Sequence, residues 1–141
     1  MKVDSLCTAC ESELDLSSAS LSASYYYDSL PYCVIDAVFS IGVKYTSTQN
    51  VVKNYCTYYG LREYNTKQDN NGDTHTISQL VEHIESMGIE KSADEIFKNH
   101  QRTSTRGGIL KADAALRFAK VLQNHGIETL ADFSQKGLSE E

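Results

Sequence analysis

Apolar residues along this chain recur at intervals of three and four rather than two, which is helical spacing. The densest run is Val34, Ile35, Ala37, Val38, Phe39, Ile41 and Val43, apolar on nearly every side. Periodicity alone leaves such a run open between buried strand and buried helix. Its length decides for helix, and Pro31 suits a first helical turn, where a missing N–H costs nothing. Residues 31–43 are therefore expected to form the central buried helix. Thr46-Ser47-Thr48-Gln49 has the capping-box pattern and Gly60 the C-terminal stop, with Val51, Val52, Tyr55, Cys56 and Tyr59 on one face between them. Thr76-Ile77-Ser78-Gln79 opens another helix with a stripe of Ile77, Leu80, Val81, Ile84 and Met87. Ser92-Ala93-Asp94-Glu95 opens a short one, to about His100.

The clearest helical segment is "GGILKADAALRFAKVLQNHG", residues 107–126. Its spacing turns Leu110, Ala114, Ala115, Phe118, Val121 and Leu122 inward. A last short helix runs from Thr129 to Gln135, and a polar turn centres on Asn71-Gly72. No stretch alternates as a strand does. The fold class is all-α: one compact domain of about six short helices around the helix of residues 31–43. Residues 1–28, serine-rich and poor in bulky apolar side chains, are expected to be a flexible or weakly ordered segment in which Leu14, Leu16 and Leu21 can dock on a neighbour, with residues 29–141 as the helical domain.

Length and composition agree with a single domain, since 141 residues falls among the commonest domain sizes. No segment approaches the ~20 apolar residues of a membrane span. The opening "MKVDSLCTACESELD" places acids where a secretory signal needs an apolar core, so the expectation is a cytoplasmic chain whose Cys7, Cys10, Cys33 and Cys56 are thiols. A net charge of -6 weighs against a freestanding nucleic-acid binder. Its distribution matters more: from Lys98 to Lys111 the charged side chains are Lys98, Arg102, Arg106 and Lys111, with no acid between them.

The order of segments carries a resemblance. "CVIDAVFSIGVKYTSTQNVVKNY" followed by "TISQLVEHIESMG" and "GILKADAALRFAKVLQ" resembles the first half of the helix-hairpin-helix DNA glycosylase domain, the endonuclease III-like superfamily, over roughly residues 30–134. The matching positions are Phe39-Ser40, closing the buried helix, and Gly108, Ile109, Lys111 and Ala112 at a later glycine-led turn. The resemblance implies a DNA-binding helical fold. It does not imply catalysis, because the family's hairpin and its catalytic lysine and aspartate would follow the last helix, where this sequence has "SQKGLSEE". The four-cysteine run that holds an iron–sulfur cluster in some members is missing as well. Gly42 stands where some members carry a polar wedge residue.

Several constellations have both a chemical and a structural reading. Cys7-Thr8-Ala9-Cys10 is half a zinc site with no second pair in the sequence, which favours free thiols and no metal. Asp36, inside the apolar run, is either an acid or base in a cleft or a carboxylate bonded to backbone or tyrosine; the second is the commoner state of such groups. Among nine tyrosines only Tyr45, beside Lys44 and after the buried helix, is placed as a nucleic-acid contact would be. The four histidines show no ligand pattern.

Residues 99–113, "NHQRTSTRGGILKAD", are the best candidate. Gly107 and Gly108 permit close backbone approach, the following helix would offer free N–H groups, and Arg102 and Arg106 would meet an anion or phosphate. The alternative is a tight interhelical turn with solvated arginines. Two functions follow. One is a non-catalytic, glycosylase-like domain that contacts nucleic-acid backbone through Lys44, Tyr45, Arg102, Arg106, Gly107, Gly108 and Lys111, without cofactor. The other is a protein-interaction module, with a second lobe as one candidate partner, in which the glycines are only structural.

Overall fold

The computed structural model describes residues 3–15, 17–65 and 72–137; among them lie seven α-helices and no strand. In chain order these are α1 (Val3–Glu13), α2 (Leu30–Phe39), α3 (Tyr45–Tyr59), α4 (Ile77–Met87), α5 (Ile89–Lys91), α6 (Lys111–Asn124) and α7 (Leu130–Gly137). The fold is all-α and forms one compact domain. Helix α2 sits at its centre and packs against α3, α4 and α6. Tyr32, Ile35 and Phe39 from α2 meet Val52 and Tyr55 from α3 and Leu80 and Ile84 from α4, all fully buried. None of the described helices is long and apolar enough to cross a membrane.

Helix α2 begins as expected, with Pro31 in its first turn, but it stops at Phe39 rather than running to residue 43. The N–H of Ser40 turns back to the carbonyls of Asp36 and Val38, and Gly42 takes a φ of +68°, which ends the helix. Ile41 is consequently exposed. The start of α2 is capped from a distance: Asp73 Oδ2 accepts the Leu30 N–H at 2.8 Å and the Leu130 N–H at 3.0 Å. One carboxylate thus satisfies the otherwise unpaired amides that open α2 and α7, where helix dipoles favour a negative charge.

The capping signals differ in outcome. Thr76 and Gln79 form the reciprocal box that opens α4. The Thr46–Gln49 pattern does not cap: α3 starts at Tyr45 with Lys44 before it, and Thr48 is buried inside the first turns. Nor does Ser92 open a helix. The chain is already helical from Ile89, and Ser92 lies buried in a wide turn over Ser92–Ile96, where the Phe97 N–H reaches the Ser92 carbonyl at 2.9 Å. That extra residue per turn brings both Ile96 and Phe97 into the core.

The inward face of α6 is Ala112, Ala115, Leu116, Ala119 and Leu122. Phe118 and Val121, expected inside, are 41% and 54% exposed. A face lined by alanine lets α6 lie close against α4, and a phenylalanine in that contact would hold the helices apart. At the N-terminus, α1 buries no residue and both Leu14 and Leu21 are exposed; Leu16 lies outside the described residues, as does Asn71 of the expected turn. Tyr27 and Asp28, placed by the sequence in a weakly ordered segment, belong to the packed unit. The Asp28 carboxylate is buried and accepts hydrogen bonds from Thr74, Arg62 Nε (2.8 Å) and Ser29 (3.1 Å). Burial alone would raise its pKa; those bonds and the Arg62 charge bring it below the ordinary carboxylate value.

Candidate anion-binding cleft

The turn after α2 and the segment before α6 are far apart in sequence, and Lys111 joins them. Its ammonium donates to the carbonyls of Phe39 (2.9 Å) and Ile41 (2.7 Å) and to Gln101 Oε1 (3.1 Å). An ammonium has three donors, so none is left over for a ligand. Lys111 is buried, and burial lowers its pKa. Its task is to cap the C-terminal carbonyls of α2, where a cation also suits the helix dipole. The sequence-based expectation that Lys111 itself meets an anion is therefore corrected: its position at the site is structural.

Residues 101–111 fold back on themselves. The Lys111 N–H bonds the Gln101 carbonyl and the Thr103 N–H bonds the Ile109 carbonyl, both at 2.9 Å, with Arg102 and Leu110 paired between them. Helix α6 begins at Lys111, after Leu110, rather than at the glycines, and its first amide is already spent on Gln101. The two glycines serve the turn. Gly107 takes a φ of +69°, and a Cβ on Gly108 would lie 2.3 Å from the Ser104 nitrogen. The close backbone approach that the sequence suggested for a ligand is made to the chain's own Ser104.

Between these two segments lies an open cleft of about 440 Å³. Residues 41–43 form one wall and residues 101–105 the other, with Lys111 bridging them. Arg102 lines it, exposed, with one guanidinium nitrogen donating to the Gly108 carbonyl at 2.9 Å. Lys44 and Arg106 are exposed and follow the two walls in sequence. Among the described residues Lys44, Arg102 and Arg106 are not ion-paired, whereas Arg62, Lys91, Arg117 and Lys120 are. Of the residues expected at the site, Arg102 and Lys111 line the cleft, while Lys44 follows one wall and Arg106, Gly107 and Gly108 follow the other in sequence without lining it. The walls also use Ile41, Val43, Gln101 and Thr103, which sequence reasoning missed; no local pattern marks them, because the cleft exists only once Lys111 ties the two turns together.

Tyr45 is half exposed beside that cleft, and its hydroxyl lies near Tyr27. Tyr27 stacks on Tyr64, with ring centroids 5.6 Å apart and planes at 11°, and donates to Asp36 Oδ2 at 2.6 Å. Burial raises the Tyr27 pKa well above the phenol value, and the Asp36 contact raises it further. Asp36 is thereby a carboxylate bonded to tyrosine on the outward side of α2.

A second polar group was invisible in the sequence. Tyr55 Oη lies 2.5 Å from His75 Nε2 and 2.9 Å from His83 Nδ1, and Tyr59 stacks on His83 at 3.6 Å. Burial pushes the His75 pKa down to about 4 and lowers that of His83, so both imidazoles are neutral at pH 7. A hydroxyl donates to one ring and accepts from the other, which fixes the two tautomers. Tyr55 thus gives one nitrogen of each ring a hydrogen-bond partner. Cys33 and Cys56 are equally inert, their thiols pushed up to about 11 and about 12 by burial. Cys7 and Cys10 are free on α1, and among the described residues no three of His, Cys, Asp or Glu stand together as metal ligands would.

Fold and cleft define a small all-α domain with a concave, cation-bearing surface between two helix-connecting turns. The chain belongs to the family described as a domain of unknown function, DUF8548, which matches over residues 4–140. No curated protein and no solved structure matches it.

Proposed function

We propose that this is a non-catalytic binding domain whose cleft takes the phosphate backbone of a nucleic acid. The observation that carries this reading is Arg102, exposed and not ion-paired among the described residues, lining the cleft between residues 41–43 and 101–105, with the likewise unpaired Lys44 and Arg106 next to its walls in sequence. Cations with no carboxylate partner keep their full attraction for phosphate, and arginine adds bidentate geometry. The resemblance to the front half of a helix-hairpin-helix glycosylase domain supports the same class of partner. Catalysis is not part of the proposal; His75, His83, Cys33, Cys56 and the Asp28 carboxylate are all held in packing contacts or hydrogen bonds.

The test is binding of labelled DNA over a series of salt concentrations, wild type beside Arg102→Ala/Arg106→Ala. The expected result is affinity that falls steeply with salt, and a shallower slope with weaker binding in the double variant. Absence of binding at low salt would overturn the proposal. It would leave a protein-docking role, favoured by the exposed Phe118 and Val121 on α6.

A further inference from the structure

We propose that the cleft selects an unpaired strand, with a base stacked on Tyr45 while the neighbouring phosphates meet Arg102 and Arg106. This rests on the nucleic-acid reading and sharpens it. Tyr45 stands two residues beyond Val43 of the cleft wall and directly after Lys44, so an aromatic ring and a cation leave the same turn. Its side chain is not buried: the residue is 49% exposed, and its hydroxyl lies near Tyr27 of the Tyr27–Tyr64 stack. An exposed aromatic ring is suited to a base, because every base has a π-face. Bases inside a duplex are already stacked on one another and offer such a ring nothing.

Electrostatics point the same way. Duplex DNA carries about twice the axial charge density of one of its strands, and the chain as a whole is at -6. Local cations must overcome that repulsion, and they do so more readily for a single strand. Arg102 also lines a concavity, and Lys44 and Arg106 lie in the turns next to it, not on an exposed helix of the kind that enters a major groove.

The experiment compares labelled strands of equal length on the full chain: oligothymidylate, oligouridylate, an abasic deoxyribose-phosphate strand, and the thymidylate paired in a duplex. Both base-bearing single strands should bind alike and about tenfold more tightly than the abasic strand. Tyr45→Ala should erase that difference, Tyr45→Phe should keep it, and Tyr58→Ala, at an exposed tyrosine lining a different cleft, should leave it unchanged. An abasic strand or a duplex that binds as tightly as oligothymidylate, with the Arg102/Arg106 dependence intact, would overturn the stacking and leave backbone binding standing. Failure of all four to bind at low salt would overturn both.

Discussion

The ammonium of Lys111 lies 2.9 Å from the carbonyl of Phe39, so the first side chain of α6 caps the end of α2 across 72 residues of sequence. With the Ile41 and Gln101 contacts it is the tie on which the cleft depends. Lys111→Met keeps the bulk and removes the donors, leaving the carbonyls of Phe39 and Ile41 without their charged partner. The expected cost is about 3 kcal/mol, within the range for removing a buried charge-assisted group. A urea titration reads it as a lowered midpoint, and a midpoint equal to wild type would mean the lysine is not the tie.

That relationship also shows what was legible in the sequence. Helix class, the capping box at Thr76–Gln79, the Gly60 stop and Pro31 at the opening of α2 are local signals, and the chain obeys them. Two of the failures involve distant groups. Lys111 and the turn at Gly42 end α2 four residues early, and the closeness of α4 turns Phe118 and Val121 out of α6. Arg102 of the cleft was legible within a run of cations without acids. Its second wall, residues 41–43, was not, because nothing in that stretch announces a partner sixty residues on. The Tyr55 trio was hidden for the same reason: its three members come from α3, from the residue before the Thr76 cap, and from α4.

The trio predicts a pH dependence of stability. His75 has a folded pKa of about 4 against an ordinary value near 6.5, so between those values the unfolded chain binds more protons than the folded one. Stability therefore falls as pH drops from 6.5 toward 4, by up to about 3 kcal/mol for this residue alone. His83 shifts in the same direction. Asp28, whose pKa is lowered, contributes stability that is lost only at more acid pH, below its own unfolded value. Chemical denaturation at stepped pH should show the histidine loss first. His75→Gln should be less stable at pH 7 yet flatter between 6.5 and 4, whereas Tyr55→Phe should lower stability throughout and keep the slope. An unchanged slope in His75→Gln would assign the titration elsewhere.

Helix α6 separates two leucine- or phenylalanine-sized residues that sequence periodicity does not rank. Leu116 is buried against the core and Phe118 is 41% exposed. Leu116→Ala should cost about 2–4 kcal/mol, whereas Phe118→Ala should stay within about 1 kcal/mol. Paired thermal or urea melts decide it. The reverse order would mean that α6 is rotated from the placement described, with its phenylalanine side inward.

The adjacent glycines make the sharpest contrast. Gly107 has a φ of +69° and open space where a Cβ would go, so Gly107→Ala meets only the left-handed backbone cost, about 1 kcal/mol, and Gly107→Asn less than that. At Gly108 the same methyl would sit 2.3 Å from the nitrogen and 2.5 Å from the oxygen of Ser104. Both are backbone atoms and neither can swing aside, so the turn must open. That opening pulls on the Thr103–Ile109 hydrogen bond and on the Arg102 contact with the Gly108 carbonyl, which together shape one wall of the cleft. Gly108→Ala should therefore lower stability by more than Gly107→Ala. Amide exchange at Thr103 should quicken in the first variant and hardly change in the second. Equal exchange in the two would show that the closeness of Gly108 to Ser104 is not what holds the wall in place.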